Sequence, residues 1–266
     1  MEPAMLLTAP ALDKSYSLAD FDRALNDWKV SAREHCLLII DAARYDEEDV
    51  FRQLYTLDAN PDWFWLFDET PFEPHRSAGP LVVMTTLDST LCQHALSQWG
   101  VDEALAILVS KRERNSALNG IRKSLMLHFE TYGPCFVRPY DGRFLEVLNT
   151  CLPDAAGGLI GEGELLIWAI NHGEYTHLSS ARGASTEGEG LHAHQPRSFE
   201  RLLTWVSGWP RCIAIVNNHK HTPSHRSRII RELWSAGHEC PESEAELGAL
   251  WQNAELEFHG LHEKGL

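Results

Sequence analysis

No stretch of this 266-residue sequence approaches the ~18 consecutive apolar residues of a membrane-spanning helix, so none is expected. Positive charge is scarce as well. Lys and Arg number 23 against 38 Asp and Glu, for a formal net charge of −15. That balance argues against nucleic acid as a general partner, since phosphate binding needs clustered cations. It argues equally against an anionic membrane surface. None of the six cysteines forms a CxxC pair. Cys36, Cys135 and Cys212 sit inside apolar runs, as buried, reduced thiols of a cytoplasmic protein would. The opening "MEPAMLLTAPALDK" lacks the basic start and long apolar core of a secretion signal.

Catalytic signatures are missing too. There is no G-x-S-x-G, and Cys135 in "YGPC" has no base near it in sequence. "GGLIGEG" (157–163) lacks the Lys-Ser/Thr ending of a phosphate loop. The pairs in "HAH" (192–194) and "NNHKHTPSH" (217–225) have neither HExxH spacing nor a Cys partner at finger spacing, although an H-x-H pair can ligate zinc. No metal and no cofactor is therefore expected.

Aromatic rings, by contrast, are plentiful. Nine Trp is many for this length, and Trp serves both cores and interfaces. Four rings fall within five residues: Trp63, Phe64, Trp65 and Phe67. In a strand, Trp63, Trp65 and Phe67 would share one face and Phe64 the other.

Periodicity predicts a helix opening at Ser17 and running through Trp28, then a buried strand in "HCLLIID" (35–41). A short helix follows at 47–57, and strands at 80–86, 104–110, 135–140 and 165–170. Helices are expected from Asp88 or Ser89 to Trp99, over 115–129 and over 142–152. Alternating strands and helices predict an α/β lobe with a mixed or partly parallel sheet, joined to a smaller, mostly α-helical C-terminal lobe. The expected divisions are a helical lead-in over 1–34, the α/β domain over 35–170, a Gly/Ser-rich linker or loop over 171–196 and the helical lobe over 197–266. Within that lobe, residues 219–231 carry Lys220, Arg226, Arg228 and Arg231, whereas 239–263 carry seven Glu and no Lys or Arg. These segments could pair with each other, or one could face a partner.

"VRPYDGRF" mixes charge with two aromatics between apolar runs. Asp141 fits a helix N-cap, and Arg138 could pair with Asp141 or with Asp41 at the end of a neighbouring strand. This accounts for the polar residues without a substrate.

Several pieces, in order, resemble the adaptor/chaperone family of bacterial type VI secretion systems, the Tap or Tec proteins of domain of unknown function 4123. "LLIIDAARYDEEDVFRQLY" is similar to the family's "LLDGA" strand and following helix. "LFDETPFEPHRSAGPLVVMTT" is similar to "LFEGTPY…GPWLV", and "VRPYDGRFLEVLNTCLP" to "FRFYDPRVL…LP". The likeness spans about residues 35 to 165. Ala42 and Gly142 depart from the usual Gly and Pro, and Pro139 interrupts the run before Tyr140. Asp41, Arg138, Tyr140, Asp141 and Arg143 make up the structural motif.

The resemblance implies a cytoplasmic, non-enzymatic adaptor or chaperone. It would bind one cognate effector, a toxin, and help load it on the VgrG spike or its PAAR tip. An aromatic groove would shield the effector, with Trp63, Phe64, Trp65 and Phe67 contributing and Trp205, Trp209, Trp234 and Trp251 closing over it. Equally, these Trp could pack the two lobes together. Two other functions compete: an immunity protein that plugs a toxin's active site, and a metal-dependent hydrolase or nuclease using the histidines from His192 to His225.

Overall fold

The computed structural model describes residues 15–129, 133–170, 173–179, 188–191 and 199–208, with a few isolated residues between Arg231 and 249. The chain opens with strand β1 (Tyr16–Ser17), a single 3-10 turn and helix α1 (Phe21–Asp27). Strand β2 (His35–Ile40), helix α2 (Glu47–Leu57), strand β3 (Asp62–Trp65) and strand β4 (Leu81–Thr86) follow. Helix α3 (Thr90–Ala95) runs into a π turn, and strand β5 (Leu105–Val109) leads to helix α4 (Arg114–Lys123). A two-stranded ribbon, β6 (Met126–Phe129) and β7 (Gly133–Phe136), precedes helices α5 (Gly142–Cys151) and α6 (Pro153–Ala156). Strands β8 (Leu165–Ile170) and β9 (Glu174–Ser179) complete the main sheet, and residues 199–208 are again helical.

Seven strands form one sheet in the order β1-β9-β8-β5-β2-β4-β3. Every neighbouring pair in it is antiparallel, which corrects the expected partly parallel sheet. Two helical crossovers, through α2 and through α3, do link strands that run the same way. β4 and β5 are co-directional, but antiparallel β2 lies between them. β2 and β3 are likewise separated by β4. Strand–helix–strand alternation reports the direction of successive strands, not which strand fills the slot between them.

The continuous apolar run of β2 reflects two covered faces. Leu37 and Ile39 join one buried cluster, beneath α4, α5 and the ribbon. Cys36, Leu38 and Ile40 join another, beneath α1, α2 and α3. Leu38 and Ile40 are fully buried, and truncating either to Ala would cost about 2–5 kcal/mol.

Local signals account for several boundaries. Asp46, Ser89, Glu113 and Asp141 each accept backbone N–H bonds at the start of α2, α3, α4 and α5. Other expectations need correction. Ser17 does not cap α1; its hydroxyl bonds Asp20 at 2.8 Å, and α1 begins at Phe21. The helix expected over 115–129 stops at Lys123, where the Ser124 hydroxyl bonds the Gly120 carbonyl. Residues from Met126 on then pair with β7, because Leu127 and Phe129 also satisfy a period of two. β7 ends at Phe136, so Arg138 and Tyr140 lie beyond it in a loop. Glu174–Ser179, in the span read as a linker, pairs with β8 and β1.

Candidate functional site

Two regions gather the residues that the sequence singled out. The first is an ion-paired knot where the end of β2 meets the start of α5. Asp41 and Asp141 are both buried, at 3% and 6% exposure. Arg138 pairs with the Asp41 carboxylate. Arg44, from the turn after β2, donates through Nε to Asp41 at 2.9 Å and through a terminal nitrogen to Asp141 at 2.9 Å. Its remaining terminal nitrogen donates to the Asp102 carbonyl, also at 2.9 Å. One planar guanidinium thus ties three segments of chain together.

Asp141 caps α5, accepting from the Arg143 and Phe144 amides at 3.0 and 3.2 Å, and the Arg143 side chain stands 3.6 Å from the same carboxylate. The guanidinium of Arg138 also lies 5.5 Å from the centre of the buried Tyr140 ring. Burial pushes the Tyr140 phenol up to about 12, although Arg138 pulls the other way. Burial works against the Arg138 charge, but Tyr140, Asp41 and Asp141 outweigh it and raise its pKa. Gly142 explains a departure from the family pattern: a Cβ there would stand 2.6 Å from the Ala169 carbonyl oxygen, so α5 can approach β8 this closely only through glycine.

Arg44 is the residue that sequence reasoning missed. Its signal was its place three residues after Asp41, within one helical turn. Asp102 and Tyr45 were missed as well; the Tyr45 hydroxyl donates to the Asp102 carboxylate at 2.9 Å. A second buried carboxylate, Glu164, takes bonds from Ser110 at 2.5 Å and from the Gly161 amide at 2.6 Å, with Arg112 at 3.5 Å. Both carboxylates of the knot, and Glu164, are met from within the chain, which is how buried charge is tolerated.

The second region is β3, an edge strand of the sheet. Trp63 and Trp65 point to the α2 side, where Phe51 packs at 4.8 Å from Trp63 and 6.0 Å from Trp65. Phe64 points to the other side, beneath the Arg114 and Arg122 guanidiniums at 4.7 and 5.9 Å. Phe67 does not share the Trp63 face as expected. The strand ends at Trp65, whose amide donates to the Asp68 carboxylate, and the turn that follows sends Phe67 into the cluster on the Phe64 side. There it meets Phe72 at 5.5 Å and Phe136 at 5.8 Å. Phe136 and its cross-strand neighbour Met126 are 44% and 38% exposed, an apolar patch on the outer face of the ribbon.

Trp205 and Trp234 are buried in the cluster that also contains α5, with the Arg201 guanidinium 3.7 Å from the centre of the Trp234 ring. Trp209, Trp251 and the histidines from His192 to His225 lie outside the described residues. Among the described residues, no group of three or more His, Cys, Asp or Glu is placed to hold a metal ion. No described helix is long and apolar enough to cross a membrane.

The fold and the knot together define a class: an antiparallel sheet covered by helices on both faces, cross-tied by Arg–Asp pairs, with aromatic rings at one edge. The family assignment agrees with the sequence motifs. Residues 36–156 match the family model DUF4123 (Domain of unknown function), the family of type VI secretion effector adaptors called Tap or Tec. Among curated proteins and among solved structures, none matches the chain.

Proposed function

We propose that this protein is a cytoplasmic effector adaptor of a type VI secretion system. It binds one cognate toxin and helps load it on the VgrG spike or its PAAR tip, and it performs no catalysis itself. The observation that carries this reading is the DUF4123 domain at residues 36–156, which contains both the knot and the aromatic edge. The structure supports the division of labour. The knot uses its buried carboxylates internally and holds β2, α5 and the Asp102 segment in register. The edge presents rings that the core does not enclose: Tyr55 beside Trp63, and Phe136 with Met126. Trp63 and the ribbon are therefore the effector-facing candidates, whereas Arg114 and Arg122 cover Phe64, and Trp205 and Trp234 support the fold.

The test is a pull-down of tagged full-length protein from its native bacterium while the secretion genes are expressed, with bound proteins identified by mass spectrometry. A toxin recovered together with VgrG or a PAAR protein supports the adaptor. A toxin without the spike, and inhibited by this protein in vitro, replaces it with an immunity role. Neither partner overturns the reading.

A further inference from the structure

The two faces of β3 treat their aromatic rings differently. On one face, two arginine cations cover Phe64. On the other, an open groove of about 590 Å3 runs along α2, lined by Glu48, Phe51, Arg52 and Tyr55, and Trp63 packs beside it against Phe51 and Tyr55. These α2 positions fall three or four residues apart, so they share one stripe of the helix. Tyr55 is 51% exposed, and its hydroxyl is held by the Trp63 indole N–H at 3.1 Å, which fixes both rings in place. Among the described residues no cation lies over Trp63, Phe51 or Tyr55. Arg52 is engaged by Asp49, and the exposed Glu48 carboxylate has no ion-pair partner among the described residues.

We propose that the groove along α2 receives a Lys or Arg side chain from a basic segment of a partner protein. The cation would sit against the Tyr55 ring, which the Trp63 indole holds in place, and pair with Glu48. The chemistry is the one the chain already uses at Phe64: a π face attracts a cation, and here a carboxylate adds to it. The net charge of −15 steers a basic segment toward this protein and disfavours a second copy of the same chain. The inference rests on the adaptor reading for the identity of the partner, but not for the groove's chemistry.

The experiment titrates the full-length protein with a 15-residue peptide of Leu, Lys and Arg, and separately with its counterpart bearing Glu at every Lys and Arg. The readout is the Trp63 indole N–H resonance, assigned through Trp63→Phe. The basic peptide is expected to shift this resonance, with affinity that falls as salt rises. Tyr55→Ala and Glu48→Lys each alter an exposed side chain, and each should weaken binding about tenfold. An unmoved resonance, equal binding of the acidic peptide, or unchanged affinity in both variants overturns the proposal. The same variants separate the two readings in the pull-down. A toxin and spike captured equally by wild type and both variants overturn the groove proposal and leave the adaptor standing. A groove that binds the basic peptide in a protein that captures no secretion partner keeps the proposal and removes the adaptor.

Discussion

The knot at Asp41, Arg44, Arg138 and Asp141 and the aromatic edge at β3 are opposite solutions to placing costly groups. In the knot two buried carboxylates meet two guanidiniums, and one of them, Asp141, also accepts from backbone amides of α5. At the edge, rings stand partly in water, and a carboxylate beside them is unpaired among the described residues. The difference teaches where to look for function. Charge in a sequence motif draws the eye, but charge met from within has nothing left to offer a partner. The bland-looking helix "EEDVFRQLY" keeps its chemistry available.

Substitutions can break this contrast. The largest effect is expected at Asp41. Asp41→Ala strips the shared counter-charge from Arg44 and Arg138 and should lower stability by about 3 kcal/mol. That is the low end for breaking a buried pair, because both arginines keep some contact with water. Urea denaturation at neutral pH measures it, and a loss under about 0.5 kcal/mol would show that the knot does not hold the fold.

A half-buried histidine predicts a pH dependence. The His177 ring packs against Trp28 at 4.6 Å, and burial lowers its pKa to about 4. The unfolded chain therefore binds the proton first. Stability from this site is complete above about pH 6.5 and is lost as pH falls towards 4, by an amount on the order of 3 kcal/mol. His177→Phe should flatten that part of the profile, measured as urea midpoints at pH 7 and 4.5. An unchanged slope would mean that other groups govern acid sensitivity.

Smaller effects sharpen the comparison at β3. Arg114→Ala uncovers Phe64 and should cost about 0.5–1 kcal/mol in thermal or urea unfolding. Glu48→Lys and Tyr55→Ala, on the open face, should stay within about 0.5 kcal/mol of wild type. A cost near 2 kcal/mol at Tyr55 would mark the ring as structural and erase the distinction between the two faces.

Much of this was legible along the chain. β2, α2, β4, β5, α5 and β8 lie where apolar periodicity and caps placed them, because those signals are local. The Asp141 cap is local in the same way. Arg138 had two candidate carboxylates, and the structure pairs it with Asp41. Arg44 escaped notice since its second partner, Asp141, is 97 residues away. Where Phe67 points depended on a turn held by Asp68 and on the ribbon bringing Phe136 alongside.

By itself, then, the amino-acid sequence determined β2, α2, β4, β5, α5 and β8, the Asp141 cap, the acidic charge and the motifs that resemble the secretion-adaptor family. All of these depend on residues near one another in the chain. Only the tertiary structure decided that the sheet is antiparallel throughout, that one arginine joins Asp41 to Asp141, and that arginines cover Phe64 while Tyr55 is exposed. Each of these depends on which distant segment occupies the neighbouring space, and spacing along a strand or helix carries no record of that.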